Sequence, residues 1–370
     1  MEKERRTSRS RCSSERPAPR LHLLVSPRWL ALGVVFLIAF RIALNVTDSN
    51  VVDVGYAGVI GASKVVHGKP LYGGYPSDNE HGDTYGPVNY ELYVPFEQAF
   101  GWGGTWNDLP AAHAAAIFFD LLATGLLFLI GRRMRGPTLG VALAYAWVSY
   151  PFTLFALESN SNDSLVGALV LAAVLAASYR GELARAGRGA LVALAGLSKF
   201  APLALAPLLG TYGLSELTPA RRVRALLVYA LGFLAVLALS SIPALDHDSL
   251  HEIYERTIVY QSNRGSPFSV WGLYGLQGLE PIVEIAAAAC ALGLALLPRR
   301  SDLAGLAAAC AVVLLLVQLG LEHWFYLYIP WFFGLVIVAL FGRLTHPPER
   351  PAVVASAPAR LSRPAEALSS

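Results

Sequence analysis

Eight apolar runs, each close to the length a helix needs to cross a bilayer, dominate this chain of 370 residues. They cover residues 29–44, 110–130, 138–157, 164–179, 223–242, 281–297, 303–321 and 325–341. A helix covers the hydrocarbon core in roughly 20 residues, and backbone groups in lipid must be satisfied within one segment. The expected fold class is therefore all-α: a polytopic integral membrane protein of eight transmembrane helices. At 55% hydrophobic and 15% charged residues, an ordinary soluble domain is excluded.

Charge orders these runs. The clusters Arg132, Arg133 and Arg135; Arg180, Arg185 and Arg188; Arg221, Arg222 and Arg224; and Arg299 and Arg300 alternate onto one face, with Arg343, Arg350 and the Arg-rich N-terminal segment. The positive-inside rule makes that face cytoplasmic and places both termini there. Residues 1–26 are expected to be a disordered basic cytoplasmic tail, 27–343 the membrane domain and 344–370 a second disordered cytoplasmic tail. Both tails are rich in Arg, Ser, Pro and Ala and lack periodic apolar positions. The first run has no small-residue cleavage site after it and reads as an uncleaved signal anchor. The net charge of +3 is topological, so no nucleic-acid partner is expected. Cys12, Cys290 and Cys310 form neither a metal spacing nor a disulfide framework.

One apolar stretch, 189–213, lies between two basic clusters and must enter and leave on the same side. It is about half as long as two crossings of roughly 20 residues require. Lys199, Pro202 and Pro207 interrupt it, which predicts a re-entrant or short helical hairpin with Lys199 near its tip.

Carboxylates gather on the opposite face, where two long loops near 45–109 and 243–280 form an outer region able to hold a soluble substrate. Asp53, directly after the first span, could accept a proton from a hydroxyl or be a solvated loop acid; Asp48 competes for the same role. A lysine at 199 costs roughly 2.5–3.5 kcal/mol in a membrane unless paired or hydrated. It could bind a lipid phosphate as a point charge, or form an ion pair with Asp120 or an outer carboxylate. Arg256 and Arg264 flank the aromatic stretch 266–272 and could grip a phosphate or sugar, or pair with Glu252 and Glu255. Asn160, Asn162 and Asp163 stand where a helix cap is needed and could also meet sugar hydroxyls. His323, beside Glu322, is a further candidate, while Trp324, Tyr326 and Tyr328 read as an aromatic belt. Asp120 is expected to make a structural contact inside its span, and Arg41 to snorkel outward.

The motifs form a pattern. Asp53-x-x-Tyr56 is followed by Gly68-Lys69-Pro70-Leu71-Tyr72 and by Tyr85-Gly86-Pro87-Val88-Asn89-Tyr90 leading to Pro95-Phe96. Asp120 and Thr124 share a span ending in Arg132-Arg133. Then come Ser159-Asn160-Ser161-Asn162-Asp163, Leu197-Ser198-Lys199-Phe200-Ala201-Pro202 and Ser266-Pro267-Phe268-Ser269-Val270-Trp271-Gly272. Over residues 29–340 the chain resembles the polytopic GT-C glycosyltransferases, especially the family 87 type that uses polyprenyl-phosphate-mannose.

The resemblance implies an inverting transferase on the extracytoplasmic face of the plasma membrane. Its donor would be a polyprenyl-phosphate sugar, mannose by analogy, and its acceptor a hydroxyl of a cell-envelope glycolipid or glycan. Carried over by position, Asp53 would be the general base and Lys199 would meet the donor phosphate, with Arg264 and Arg256 as further candidates for that phosphate from their own position. Tyr56, Asp83, Tyr85, Asn160, Asp163, Trp271 and His323 would meet the acceptor or sugar. The chain departs from the family in placing Val52 and Val54 around Asp53 instead of a paired acidic motif; either Asp83 supplies a second carboxylate or there is none. The lipid-linked donor, the acceptor and membrane lipids are the implied partners. No cofactor is required, although a divalent metal is compatible. A lipid-linked sugar flippase or transporter, or an inactive partner in envelope assembly, is the alternative; the absence of a repeated half in the sequence weighs against transport.

Overall fold

The computed structural model describes residues 23–107, 109–297 and 302–343. Among the described residues there are helices and turns and no strand. Most of the two expected tails, 1–26 and 344–370, lies outside the described residues.

Helix α1 (Pro27–Thr47) opens with a proline in its first turn, where the missing N–H has no helical partner to lose. The expected outer loop that follows is largely helical, as α2 (Asp53–Val66), α3 (Pro87–Glu91) and α4 (Val94–Phe100). Nine of the 14 residues of α2 are buried. Gly55, Gly58 and Gly61 make this close packing feasible. A Cβ at Gly55 would strike the Asn160 carbonyl, and at Gly58 and Gly61 the rings of Tyr93 and Tyr90.

Next come α5 (Pro110–Arg135), α6 (Pro137–Val148) and α7 (Pro151–Glu158). The last two form one path bent by 59°. Pro151 causes the break, because its ring holds the preceding Tyr150 in an extended conformation. Helix α8 (Asp163–Ala177) is apolar on all sides and nearly all buried, the pattern of a central helix.

Helix α9 (Glu182–Ser198) ends at Lys199, whose backbone is extended. The chain then returns through a 3-10 turn at Ala201–Leu205 and α10 (Ala206–Thr211). Both arms rest on Tyr229 of α11 (Pro219–Leu245): its hydroxyl donates to the Ala206 carbonyl at 3.0 Å, and a Cβ at Gly189 would strike its backbone. The expected hairpin is therefore present, with Lys199 at its tip. Gly86, in the outer segment, sits directly on that tip: a Cβ there would collide with the Leu197 carbonyl.

Short turns α12 (Leu250–Tyr254), α13 (Tyr260–Ser262) and α14 (Val270–Tyr274) lead to α15 (Glu280–Leu296), α16 (Leu303–Leu319) and α17 (Ile329–Arg343). Five helices of the described residues are long and apolar enough to cross a membrane, or six if α6 and α7 count as one span. The expected count of eight is reached only if α8 and α16, at 15 and 17 residues, also cross. Apolar side chains such as Phe36, Leu231 and Ile285 are exposed on the outer flanks of α1, α11 and α15, as suits lipid-facing helices.

Arg41 does not snorkel. It points into the bundle, 1% exposed, and donates from Nε at 3.2 Å and Nη2 at 2.7 Å to the two oxygens of Asp120. Trp147 Nε1 adds a third bond to that carboxylate at 2.9 Å. A planar guanidinium matched to a carboxylate at two points is a stronger partner than distant headgroup water. Asp120 thus makes the structural contact expected of it.

Candidate functional site

The carboxylate-rich end of the bundle holds two adjoining cavities. One, of about 310 Å³, is lined by Asp53, Asp163 and Arg264 together with Ser266, Pro267 and Phe268. The other, of about 400 Å³, runs past Phe200, Gln261, Glu280, Glu284 and Trp331. Tyr85, Lys199, His323 and Tyr328 line both and form the wall between them.

Asp53 is the first residue of α2, a position where the helix dipole favours an anion. Its Oδ1 accepts from the Val54 N–H at 2.9 Å, while the side chain keeps 51% of its surface exposed. Arg264 Nη2 lies 3.8 Å from Asp53 Oδ2.

Lys199 is held by the hairpin break. Its Nζ lies 2.6 Å from Asp163 Oδ1, so its ion-pair partner is an outer carboxylate and not Asp120. Trp331 Nε1 donates to the same oxygen at 2.8 Å. Three rings surround the ammonium, with centroids at 4.9 Å for Tyr328, 5.1 Å for Trp331 and 5.7 Å for Tyr85. These faces offset part of the burial cost electrostatically. An ammonium has three donors, so the Asp163 contact leaves capacity for an anion on the cavity side.

Two further groups have shifted titrations. Burial, then the nearby Asp53 carboxylate, raises the Tyr85 hydroxyl well above its ordinary value, so it stays protonated and able to donate. Burial, then the Arg264 cation, lowers the His323 imidazole below its ordinary 6.5. His323 is thus neutral at neutral pH. Its Nδ1 faces the Gly265 carbonyl at 3.4 Å, an arrangement that favours the proton on that nitrogen.

Of the residues singled out from the sequence, Asp53, Lys199, Arg264, Tyr85, Asp163 and His323 meet at these cavities. Others stand apart. Arg256 pairs with neither Glu252 nor Glu255 but with Asp83, at 3.0 Å, and Asp83 also accepts the Gly73 N–H at 2.6 Å. That pair lines neither cavity. Tyr56 is fully buried against Trp106 and Trp102. Asn160, at a left-handed φ of 47°, is fully buried. Its amide donates to Ser49 Oγ and the Asn50 carbonyl and its oxygen accepts from Asn45, which leaves it no face for a sugar. Trp271 donates to the Leu319 carbonyl at 2.8 Å. The cap expected of Asn162 or Asp163 is not made. Asn162 has no side-chain capping bond and reaches Asn89 instead, and Asp163 is taken by Lys199.

Tyr328 is the site residue that the sequence hides, since a belt aromatic and a cavity aromatic look alike. The available signal was spacing: Tyr328 and Trp331 lie one helical turn apart, stacked at 4.4 Å, and face the hairpin lysine. No group of three or more metal-ligating side chains occurs among the described residues.

Glycosyltransferase family 87 matches residues 84–347 of the chain, which excludes Asp53 and includes the remaining cavity residues. No curated protein matches. Among solved structures the fold is similar to ArnT from Cupriavidus metallidurans, whose crystal structure is bound to undecaprenyl phosphate. The TM-score is 0.56 at 17% identity, over 87% of this chain and 61% of ArnT. This chain thus spans less than two thirds of the length of that relative, and the likeness is one of GT-C fold.

Proposed function

Because the chain belongs to glycosyltransferase family 87, we propose that it moves a sugar from a polyprenyl-phosphate carrier to a hydroxyl acceptor, with inversion. In this reading the sugar is mannose and the acceptor a cell-envelope glycolipid or glycan, at the extracytoplasmic face of the plasma membrane. The observation that carries the reading is the convergence of Asp53, Arg264 and Lys199 on one cavity at the carboxylate-rich end of an apolar helical bundle. The undecaprenyl phosphate bound by ArnT supports a lipid phosphate as the donor group.

The chemistry follows from the arrangement. Asp53, half exposed at its cavity, takes the acceptor hydroxyl proton as the oxygen attacks the anomeric carbon. The bond from that carbon to the phosphate oxygen breaks on the opposite face, and the lipid phosphate leaves with the electron pair. Lys199 and Arg264 offset its growing charge; Lys199, already held by Asp163, needs little reorganisation at that moment. The neighbouring cavity, with Phe200, Pro281, Val317 and Leu321 in its wall, is the route for the isoprenoid chain. Arg256 and Asp83 brace the outer segment and do not touch the substrates.

The test is transfer by the purified full chain in lipid nanodiscs, with polyprenyl-phosphate-mannose and a membrane glycolipid acceptor. Asp53→Asn is expected to slow transfer by about 10²–10⁴-fold, the range for loss of a general base, with donor binding retained. Transfer at the wild-type rate in Asp53→Asn would remove Asp53 from the reaction. Faster transfer from a glucose carrier would correct the sugar alone.

A further inference from the structure

A second charged cavity lies at the other end of the bundle. It measures about 660 Å³ and is lined by Arg133, Arg180, Arg185 and Arg188, with Tyr212 and Glu216. Among the described residues four guanidinium groups face one carboxylate there.

The mouth and the floor differ. Arg180 is exposed and lies 4.0 Å from Glu216, a contact of little energy in solvent. Arg133 is engaged with the end of α8, donating to the Ser178 carbonyl and hydroxyl and covering the Tyr179 ring at 3.9 Å. Arg188 is the anomaly. It is 5% exposed, and its buried Nε has no hydrogen-bond partner. Among the described residues no carboxylate stands within ion-pair distance of it. Among the described residues its guanidinium meets the faces of Tyr212 and Tyr229, each with a centroid 5.8 Å away.

A buried charge without a counter-ion is costly, and buried polar atoms are normally satisfied. Arg41, in the same bundle, meets that requirement through Asp120; Arg188 does not. A guanidinium fork matches the oxygens of a phosphate at two points. Arg185, one turn before Arg188 on α9, and Arg180 at the mouth supply the further positive charge that such an anion needs.

We propose that this cavity is a phosphate-binding site, with Arg188 as its buried anchor and Arg185 as its second ligand. Its ligand is a phosphate group, either the head group of an anionic membrane lipid or free phosphate. The site is separate from the one at Asp53 and Lys199, and no residue lines both.

Two measurements on the full chain test this. The first is thermal unfolding in neutral detergent with inorganic phosphate or with chloride at equal ionic strength. The second is native mass spectrometry of protein released from nanodiscs of mixed phosphatidylglycerol and phosphatidylcholine. Selective stabilisation by inorganic phosphate, weakened about tenfold or more in apparent affinity by Arg188→Gln or Arg185→Gln, supports free phosphate as the ligand. Selective retention of phosphatidylglycerol, lost in the same variants, supports the lipid head group. Should Arg188→Gln fail to fold, the less buried Arg185→Gln decides. The proposal is overturned if wild type shows neither effect, or if both persist in the variants.

Discussion

Arg41–Asp120 and Lys199–Asp163 are both buried ion pairs, the first between α1 and α5 and the second between the start of α8 and the end of its neighbour α9, yet they are finished to different degrees. Around Asp120 every strong donor is already used: two bonds from Arg41, one from Trp147, and a further Arg41 bond to the Val148 carbonyl at 3.2 Å. That cluster lines none of the cavities described, and it locks α1 to α5. Lys199 has one carboxylate contact, three aromatic faces and a cavity on each side. A saturated pair holds helices together. An unsaturated pair beside a cavity, with Arg264 and Asp53 nearby, can take on a ligand.

The largest expected effect separates the two pairs by stability. Arg41→Met strands the Asp120 carboxylate and should cost about 3–5 kcal/mol, read from thermal or denaturant unfolding. Adding Asp120→Leu should recover most of that loss, and the folded double variant should still transfer sugar. Loss of transfer there would break the comparison.

The matching experiment on the second pair should come out differently. Lys199→Met with Asp163→Leu replaces the ion pair by apolar groups, so stability should hold near wild type, while transfer falls by about a hundredfold or more. If stability and transfer fell together, Lys199 would be a structural residue like Arg41. Arg264→Gln should have a smaller effect, raising the KM for the lipid donor about tenfold with less change in kcat, as for loss of one charged hydrogen bond.

The smallest effect concerns Glu91, a half-buried acid with no ion-pair partner among the described residues. Burial, partly offset by a hydrogen bond with Ser240, pushes Glu91 from its ordinary 4.5 up to about 7. Between those values the folded protein binds more protons than the unfolded chain, so its stability must fall as pH rises through that window. Glu91→Gln should flatten this slope in unfolding midpoints measured from pH 5 to 8; an unchanged slope would assign it elsewhere.

Much of this architecture was legible because short-range signals agreed. Lys199, Pro202 and Pro207 between two arginine clusters specify a hairpin without any tertiary information. Asp53 after an apolar run places an acid at one end of the bundle. What could not be read was pairing across long separations. Arg41 finds Asp120 79 residues on, and Arg256 finds Asp83 173 residues back. A local rule, snorkelling for one and helix spacing for the other, supplied the wrong partner in each case. Asp163 was read as a helix cap or a sugar-hydroxyl contact; the tertiary ion pair with Lys199 prevailed over capping because an unpaired lysine in that setting costs more than an open N–H. The helical outer segment was missed because its close packing depends on glycines that meet Tyr90 and Tyr93 from later turns of the same segment and Asn160 from beyond it.

The contact between Gly86 and the backbone at Leu197 has a bearing on how such enzymes can be recombined. With no room between them for even a methyl group, the segment over the cavity and the bend that carries Lys199 must be inherited as a matched set. Chimeras that exchange residues 68–95 between relatives should therefore work only when the partner bend travels with them. Phe268, which lines the cavity and is exposed, is then the easier position for variation.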